Sequence, residues 1–474
     1  MTAALIEIRP GRTRLAEWHA IYRGSPVGLD PFARPDVEAG AAALAEILKG
    51  PKPPRLDTKA PSIAELIERG GDRLPSPLVR LFVALKVASL AQGMSGVRWD
   101  TLRGLSDFLS AGLIPAIPGE GVGDRLALAH LFAAITGTGE AVAGDKRLPA
   151  AKALSQASLH PLHLEPHERS ALLSGTQLST AAALAGLFEA ERLHQSALVA
   201  AACTAMATSR PATVLHPRAR RLHRQPGQVE AASAFAVLIG LGDAAPAADA
   251  AGPEKCAGVR TPLAAGACLD LLRQAGATLE RAANAVTEDR LILWQTGEIV
   301  AGAEDSSSVK RAADLVAVAL RTIGELSYER IAALRGGEEE TPEGGRERKS
   351  PGARTDHFVT RLRDQAEALS DVRRLLPMAG TAALVLAIEF LEATRLHDMD
   401  EDRPPLRLDE VFGLVRETVS DAPDAEAFAI ADLARIADRI GSGALVAAAG
   451  LPLPGLLPAR ADRPAPLGAG PKHK

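Results

Sequence analysis

Aromatic side chains are scarce in this 474-residue chain: two tyrosines, three tryptophans and ten phenylalanines, 3% in all. Its core must therefore be built mostly from Ala, Leu, Val and Ile. Cysteine is nearly absent. Cys203, Cys256 and Cys268 have neither metal-ligand nor redox spacing, and an odd, scattered set suits a reducing cytoplasm. Neither sign of charge dominates: the net charge of −4 gives no general case for nucleic acid or membrane binding. No uninterrupted apolar run is long enough to span a bilayer. The stretch 444–458 comes nearest, and Pro452, Pro454 and Pro458 break it. The opening MTAALIEIRPGRTRL has no signal-peptide apolar core. The expectation is a cytoplasmic protein.

What is present is helical patterning. Hydrophobic residues make up 47% and charged residues 24%, as in soluble globular proteins. Leu78, Leu81, Phe82, Val83, Leu85 and Val87 give a segment apolar on nearly every side, which predicts a buried helix. Residues 178–207, 262–286, 309–335 and 357–394 are Ala/Leu-rich with few breakers. Short strands are expected only at Leu5–Ile8 and at Ile292–Trp294 with Ile299–Val300. The Pro-rich stretch 50–62 predicts a loop. Residues 336–355, acidic then basic, predict a disordered loop. The sequence divides into an N-terminal helical domain (1–110), a central long-helix bundle (111–335), the polar loop (336–355), a C-terminal helical region (356–450) and a flexible Pro-rich tail (451–474).

Residues 113–139 are LIPAIPGEGVGDRLALAHLFAAITGTG. They place Gly121-Val122-Gly123 before Asp124 and Leu128-Ala129-His130. Further segments are EWHAIYRG at 17–24, VRLFVALKVASLAQGMSG at 79–96, ERSALLSGTQLST at 168–180, Pro226-Gly227-Gln228, GACL at 266–269 and Thr296-Gly297-Glu298. All seven resemble, in order, segments of histidine ammonia-lyase and the related aromatic amino acid lyases. The chain is identified on these motifs as a member of that family.

The resemblance implies a mostly α fold, with a long central helical bundle of the ammonia-lyase (aspartase/fumarase-like) type and a few short β pieces. It also implies an oligomer, a tetramer in relatives, with sites built from several subunits. The family makes its electrophile, a methylidene-imidazolone, from an Ala-Ser-Gly tripeptide. The Gly nitrogen closes a ring on the Ala carbonyl, and the Ser side chain leaves as water. That group carries the hard chemistry. Here the serine position is Val122, which has no leaving group. No cofactor is expected.

Other departures fall where the family does chemistry. The loop that carries the family's first catalytic Tyr matches Pro54-Arg55-Leu56-Asp57-Thr58-Lys59-Ala60-Pro61, with Pro54 at the Tyr position. The substrate-side Asn of Asn-Gly-Thr-Gln is Ser174. The Tyr-Ser-Leu-Arg element is Cys256-Ala257-Gly258-Val259-Arg260, so only Arg260 retains a carboxylate-binding type. Gly-Gly-Asn-Phe-His becomes Gly302-Ala303-Glu304-Asp305-Ser306, and the Glu of Gln-Glu-Asp-His becomes Thr355. The two tyrosines, Tyr22 and Tyr328, lie in segments that are not catalytic in the family, whereas a general base must reach its proton.

The degenerate loop is thus Gly121, Val122, Gly123 and Asp124. The candidate vestigial pocket is Asp57, Thr58, Ser174, Gly175, Thr176, Gln177 and Arg260. Asp124 is read first as a turn-and-cap residue and second as a pocket residue, because its glycine neighbours allow close approach. The stretch Ser174–Gln177 is read first as fixing a helix start. His160, His163 and His167 resemble a metal set, but Pro161 and Pro166 keep them off one helical face. Arg218, Arg220, Arg221, His223 and Arg224 are read as a solvated face. The functional expectation is a degenerate lyase acting by binding or assembly, as a homo-oligomer or with another enzyme. The alternatives are an enzyme with changed, prosthetic-group-independent chemistry and an ordinary ammonia-lyase.

Overall fold

Apolar residues spaced for helices form helices here. A computed structural model describes residues 5–50, 72–119, 121–208, 221–222, 224–241, 257–335, 338–340, 346–348, 352–368, 371–399, 408–419 and 430–457. In chain order these form β1 (Ile6–Ile8), α1 (Leu15–Tyr22), β2 (Val27–Leu29), α2 (Arg34–Lys49), α3 (Ser76–Leu90), α4 (Trp99–Ser110) and β3 (Leu113–Pro115). There follow α5 (Asp124–Ile135), β4 (Glu140–Ala143), β5 (Lys146–Pro149), α6 (Ala150–Gln156), α7 (Pro166–Leu172), α8 (Gln177–Ala207), α9 (Pro226–Leu238) and α10 (Ala257–Ala283). The remainder is β6 (Arg290–Leu293), β7 (Glu298–Ala301), α11 (Ser307–Leu334), β8 (Glu338–Glu340), β9 (Arg346–Arg348), α12 (Ala353–Glu367), α13 (Leu375–Asp398), α14 (Asp409–Thr418), α15 (Ile430–Ser442) and α16 (Ala444–Ala448). The fold is mostly α with a few short β pieces.

Two units emerge, each discontinuous in sequence. The first comprises residues 1–188, 275–314 and 370–375; the second comprises 189–274, 315–369 and 376–474. In the first, α3 is buried from Leu78 through Leu90 except at Arg80. The expected strand at the N-terminus is β1, paired in parallel with β2, and the expected pair near 292–300 is the β6–β7 hairpin. A three-stranded sheet, β3-β4-β5, was not foreseen. It steers the chain out of β3 toward Gly121. Residues 72–74 then pin that path: Leu74 N donates to Ile117 O (3.0 Å), and Gly119 N to Asp72 O (2.8 Å).

In the second unit, Pro226-Gly227-Gln228 and Gly266 explain each other. A Cβ on Gly227 would sit 2.3 Å from Gly266 O, and one on Gly266 would sit 2.3 Å from Gln228 Cα. Only glycine permits so close a crossing of α9 and α10. Gly227 N also donates to Asp270 Oδ1 (2.8 Å).

The Ala/Leu-rich stretch 357–394 holds two helices: α12 ends at Glu367, and a 3-10 turn at Val372–Arg374, capped by Asp371, precedes α13. The stretch 336–355 is not simply a disordered loop. β8 and β9 pair antiparallel within it, and α12 begins at Ala353. The acidic-then-basic composition of the stretch had masked a hairpin.

Two stretches, Pro166–Ala207 and Val372–Asp398, have the length and apolarity of membrane-crossing helices. Their apolar windows are 89% and 72% buried within the protein, which marks them as core. Val318 is the one exposed large hydrophobic on α8, α10, α11 or α13 among the described residues.

Candidate functional site

The Gly121–Asp124 loop lies in the first unit, at the start of α5. Gly121 has φ +69°, the left-handed region where a side chain costs about 1–2 kcal/mol. Gly123 is extended (φ −92°, ψ 179°) and caps α5. Between them Val122 is 1% exposed, packed as a core residue. Its carbonyl accepts from Arg373 Nη1 at 3.2 Å.

Asp124 turns away from its own helix. Its carboxylate accepts from the backbone N–H of Ser179 (2.9 Å) and from the Ser179 hydroxyl. Ser179 sits in the first turn of α8, so Asp124 meets an unsatisfied donor and the positive end of that helix. Burial nevertheless pushes the Asp124 carboxyl above its ordinary range. The Ser179 bonds and a Leu178 backbone contact oppose this, while the Glu304 carboxylate adds to it.

The Ser174–Gln177 segment links α7 to α8. Ser174 Oγ donates to Glu304 Oε1 (2.7 Å) and accepts from Asp289 N (2.7 Å). Gly175 N donates to the same Glu304 oxygen at 2.9 Å. Thr176 N and Gln177 Nε2 both donate to Thr287 Oγ1, at 3.1 and 3.2 Å. Gln177 Oε1 is buried without a protein partner.

Beneath this segment lies a buried charge that sequence reasoning missed. Lys86 Nζ donates to the carbonyls of Ala171 (2.8 Å) and Ser174 (2.7 Å) and to Glu288 Oε1 (3.0 Å). Ser89 Oγ adds a bond to Glu288. Lys86 is 0% and Glu288 1% exposed, and such a pair persists only when fully hydrogen-bonded. The available signal was a lone lysine inside the apolar run of α3. Arg373 and Ser179 carried no such signal.

Thus the structure joins Ser174 and Gly175 to Glu304, joins Thr176 and Gln177 to Thr287, and places Asp124 near Glu304. Asp57 and Thr58 lie outside the described residues. Arg260 belongs to the first turn of α10, and only its backbone is described. Thr355 is buried in α12. Tyr328, in the second unit, donates to Asp356 Oδ1 at 2.8 Å. Burial first, then Asp356, raise its pKa, which makes it a poor base. Tyr22 packs against Phe188 with ring centroids 5.7 Å apart. His160, His163 and His167 span the α6–α7 connection and the start of α7. No cluster of three His, Cys, Asp or Glu with metal-holding geometry occurs among the described residues. Of the basic cluster, Arg218, Arg220 and His223 lie outside the described residues.

Long core helices with a glycine-flanked loop at a helix start define an ammonia-lyase-type fold. Solved structures share it. They include histidine ammonia-lyase from Trypanosoma cruzi, 20% identical over 94% of this chain and 95% of that one, with a TM-score of 0.79. Tyrosine aminomutase from Streptomyces globisporus is 18% identical over 94% and 98%, with a TM-score of 0.80. Ergothionase from Treponema denticola is 17% identical over 93% and 99%, with a TM-score of 0.78. The model of the aromatic amino acid lyase family matches residues 67–341, more than half of the chain. The protein belongs to that family.

Proposed function

We propose that this chain is a catalytically degenerate member of the aromatic amino acid lyase family, acting by binding or assembly in the cytoplasm. The observation that carries the reading is Val122. The methylidene-imidazolone needs a hydroxyl leaving group at this position, and valine has none. The surroundings do not fit the group either. Val122 is buried, and Gly121 holds a left-handed φ that the alanine of Ala-Ser-Gly would strain. We derive no step through that group and assign the chain no cofactor.

Assembly enters through the resemblance to oligomeric relatives, as a homo-oligomer or with an active enzyme. Light scattering at micromolar concentration should give more than a monomer mass. A second reading, an enzyme with changed chemistry, is favoured by Asp124: a half-buried carboxyl pushed upward by desolvation, with Glu304 adding to the shift, has the character of a general acid. The ordinary ammonia-lyase is the third reading, and Val122 stands against it.

The test is release of cinnamate, coumarate or urocanate from phenylalanine, tyrosine or histidine, followed by absorbance. The expected rate is background for the natural chain. It is also background for a Gly121→Ala, Val122→Ser double variant, because Pro54 and Thr355 still replace the acid/base and substrate-side groups. Clear product from the natural chain would overturn the reading.

A further inference from the structure

A second feature of the first unit stands apart from the Val122 loop. The start of α8, the end of α10 and the start of α11 enclose a cleft of about 300 Å³. Thr176, Thr180, Thr287 and Ser308 line it, the Thr180 hydroxyl donating to Thr176 O, and Arg281 and Asp305 bring opposite charges to the lining. Ala282, Ala285 and Val309 form its apolar part.

The polar groups are only partly committed. Thr287 Oγ1 already accepts two bonds, from Thr176 N and Gln177 Nε2, which leaves its own proton to give. Arg281 touches Thr278 Oγ1 through Nη2 at 3.3 Å and forms no salt bridge among the described residues. Asp305 spends one oxygen on the N–H (2.9 Å) and hydroxyl (2.6 Å) of Ser307, at the head of α11. Its other oxygen has no such role.

We propose that this cleft binds a small hydroxy-monocarboxylate, with the carboxylate on Arg281 and a ligand hydroxyl donating to Asp305. An arginine fork matches a carboxylate in two parallel bonds. The lining carries one positive and one negative group, so a dianion is repelled by Asp305. A plain carboxylate leaves the Asp305 oxygen without a donor. A three- or four-carbon hydroxy acid offers both groups, and the threonine and serine hydroxyls take up further bonds. The proposal is independent of whether the chain catalyses lyase chemistry.

The test is calorimetric titration of the full chain with glycerate, lactate and propionate, repeated on Arg281→Gln and Arg373→Gln. Arg281 is exposed, so its variant should melt with the natural chain. Saturable glycerate binding is expected, weaker for propionate and unaffected in Arg373→Gln. Loss of charge-assisted bonds should weaken binding about tenfold or more in Arg281→Gln. Absence of saturable glycerate binding, equal affinity in Arg281→Gln, or loss only in Arg373→Gln would overturn it.

Discussion

Two carboxylates, Glu389 fully buried and Asp124 half-buried, are held in different ways. Glu389, on α13 in the second unit, is fully enclosed and receives Thr204 Oγ1 (2.9 Å), Ser327 Oγ (2.7 Å) and two Arg330 nitrogens (2.5 and 2.8 Å). Asp124, in the first unit, receives Ser179 and little else. Its carboxyl is pushed upward because donors do not offset burial. The first is a closed framework element that ties α8, α11 and α13. The second is a half-buried residue at the end of the Gly121–Asp124 loop. Glu389 is surrounded by donors on every side, whereas Asp124 depends on Ser179.

The largest expected effect is at Glu389. Glu389→Ala strands Arg330, which is only 11% exposed in its side chain, and should cost about 3–5 kcal/mol in urea unfolding. A loss as small as that of a surface substitution would mean that the network carries little of the helix packing.

Next comes acid. His194 is completely buried between α8 and α10, with Nε2 at 2.9 Å from the Ala265 carbonyl. Burial lowers its pKa from 6.5 to about 4. In this pH interval the unfolded chain binds the proton and the folded chain does not. The stabilisation is therefore complete above about 6.5 and fades as pH falls through 4. At about 1.4 kcal/mol per pH unit, roughly 3 kcal/mol is lost across it. Urea midpoints should fall on acidification, and His194→Gln should flatten that fall. His130, lowered to about 4 chiefly by burial, contributes in the same direction. An unchanged slope in His194→Gln would assign the acid sensitivity elsewhere.

These buried polar groups also mark what the sequence conceals. Periodicity locates α3, α8, α10 and α11, because apolar faces at helical spacing survive without any partner in view. It does not show that Lys86 meets Glu288, 202 positions away, or that Glu389 gathers donors from two other helices. Charge pairing over such distances leaves no local trace. The β3-β4-β5 sheet escaped notice because its strands are only three or four residues long. At the loop, Val122 was legible as a residue without a leaving group, at the position where the resemblance implies a serine. Its burial and the Arg373 contact, which comes from 251 residues away, were not.

A smaller effect separates the two carboxylates further. Asp124→Ala leaves the Ser179 N–H without its acceptor and should cost about 1–2 kcal/mol, the usual loss for a helix cap. Asp124→Asn keeps an acceptor and removes a charge that burial disfavours, so its stability at pH 7 should stay within about 1 kcal/mol of the natural chain. If Asn were as costly as Ala in thermal melts, the ionised carboxylate would be structural and the contrast with Glu389 would collapse.

The central claim is that no prosthetic ring forms at Gly121-Val122-Gly123. Trypsin should release this loop within the peptide Gly104–Arg125, because no lysine or arginine lies between Arg103 and Arg125. The most direct measurement is the mass of that peptide. The account predicts the mass of the unmodified sequence. A peptide lighter by the mass of water, which ring closure would release, would contradict it.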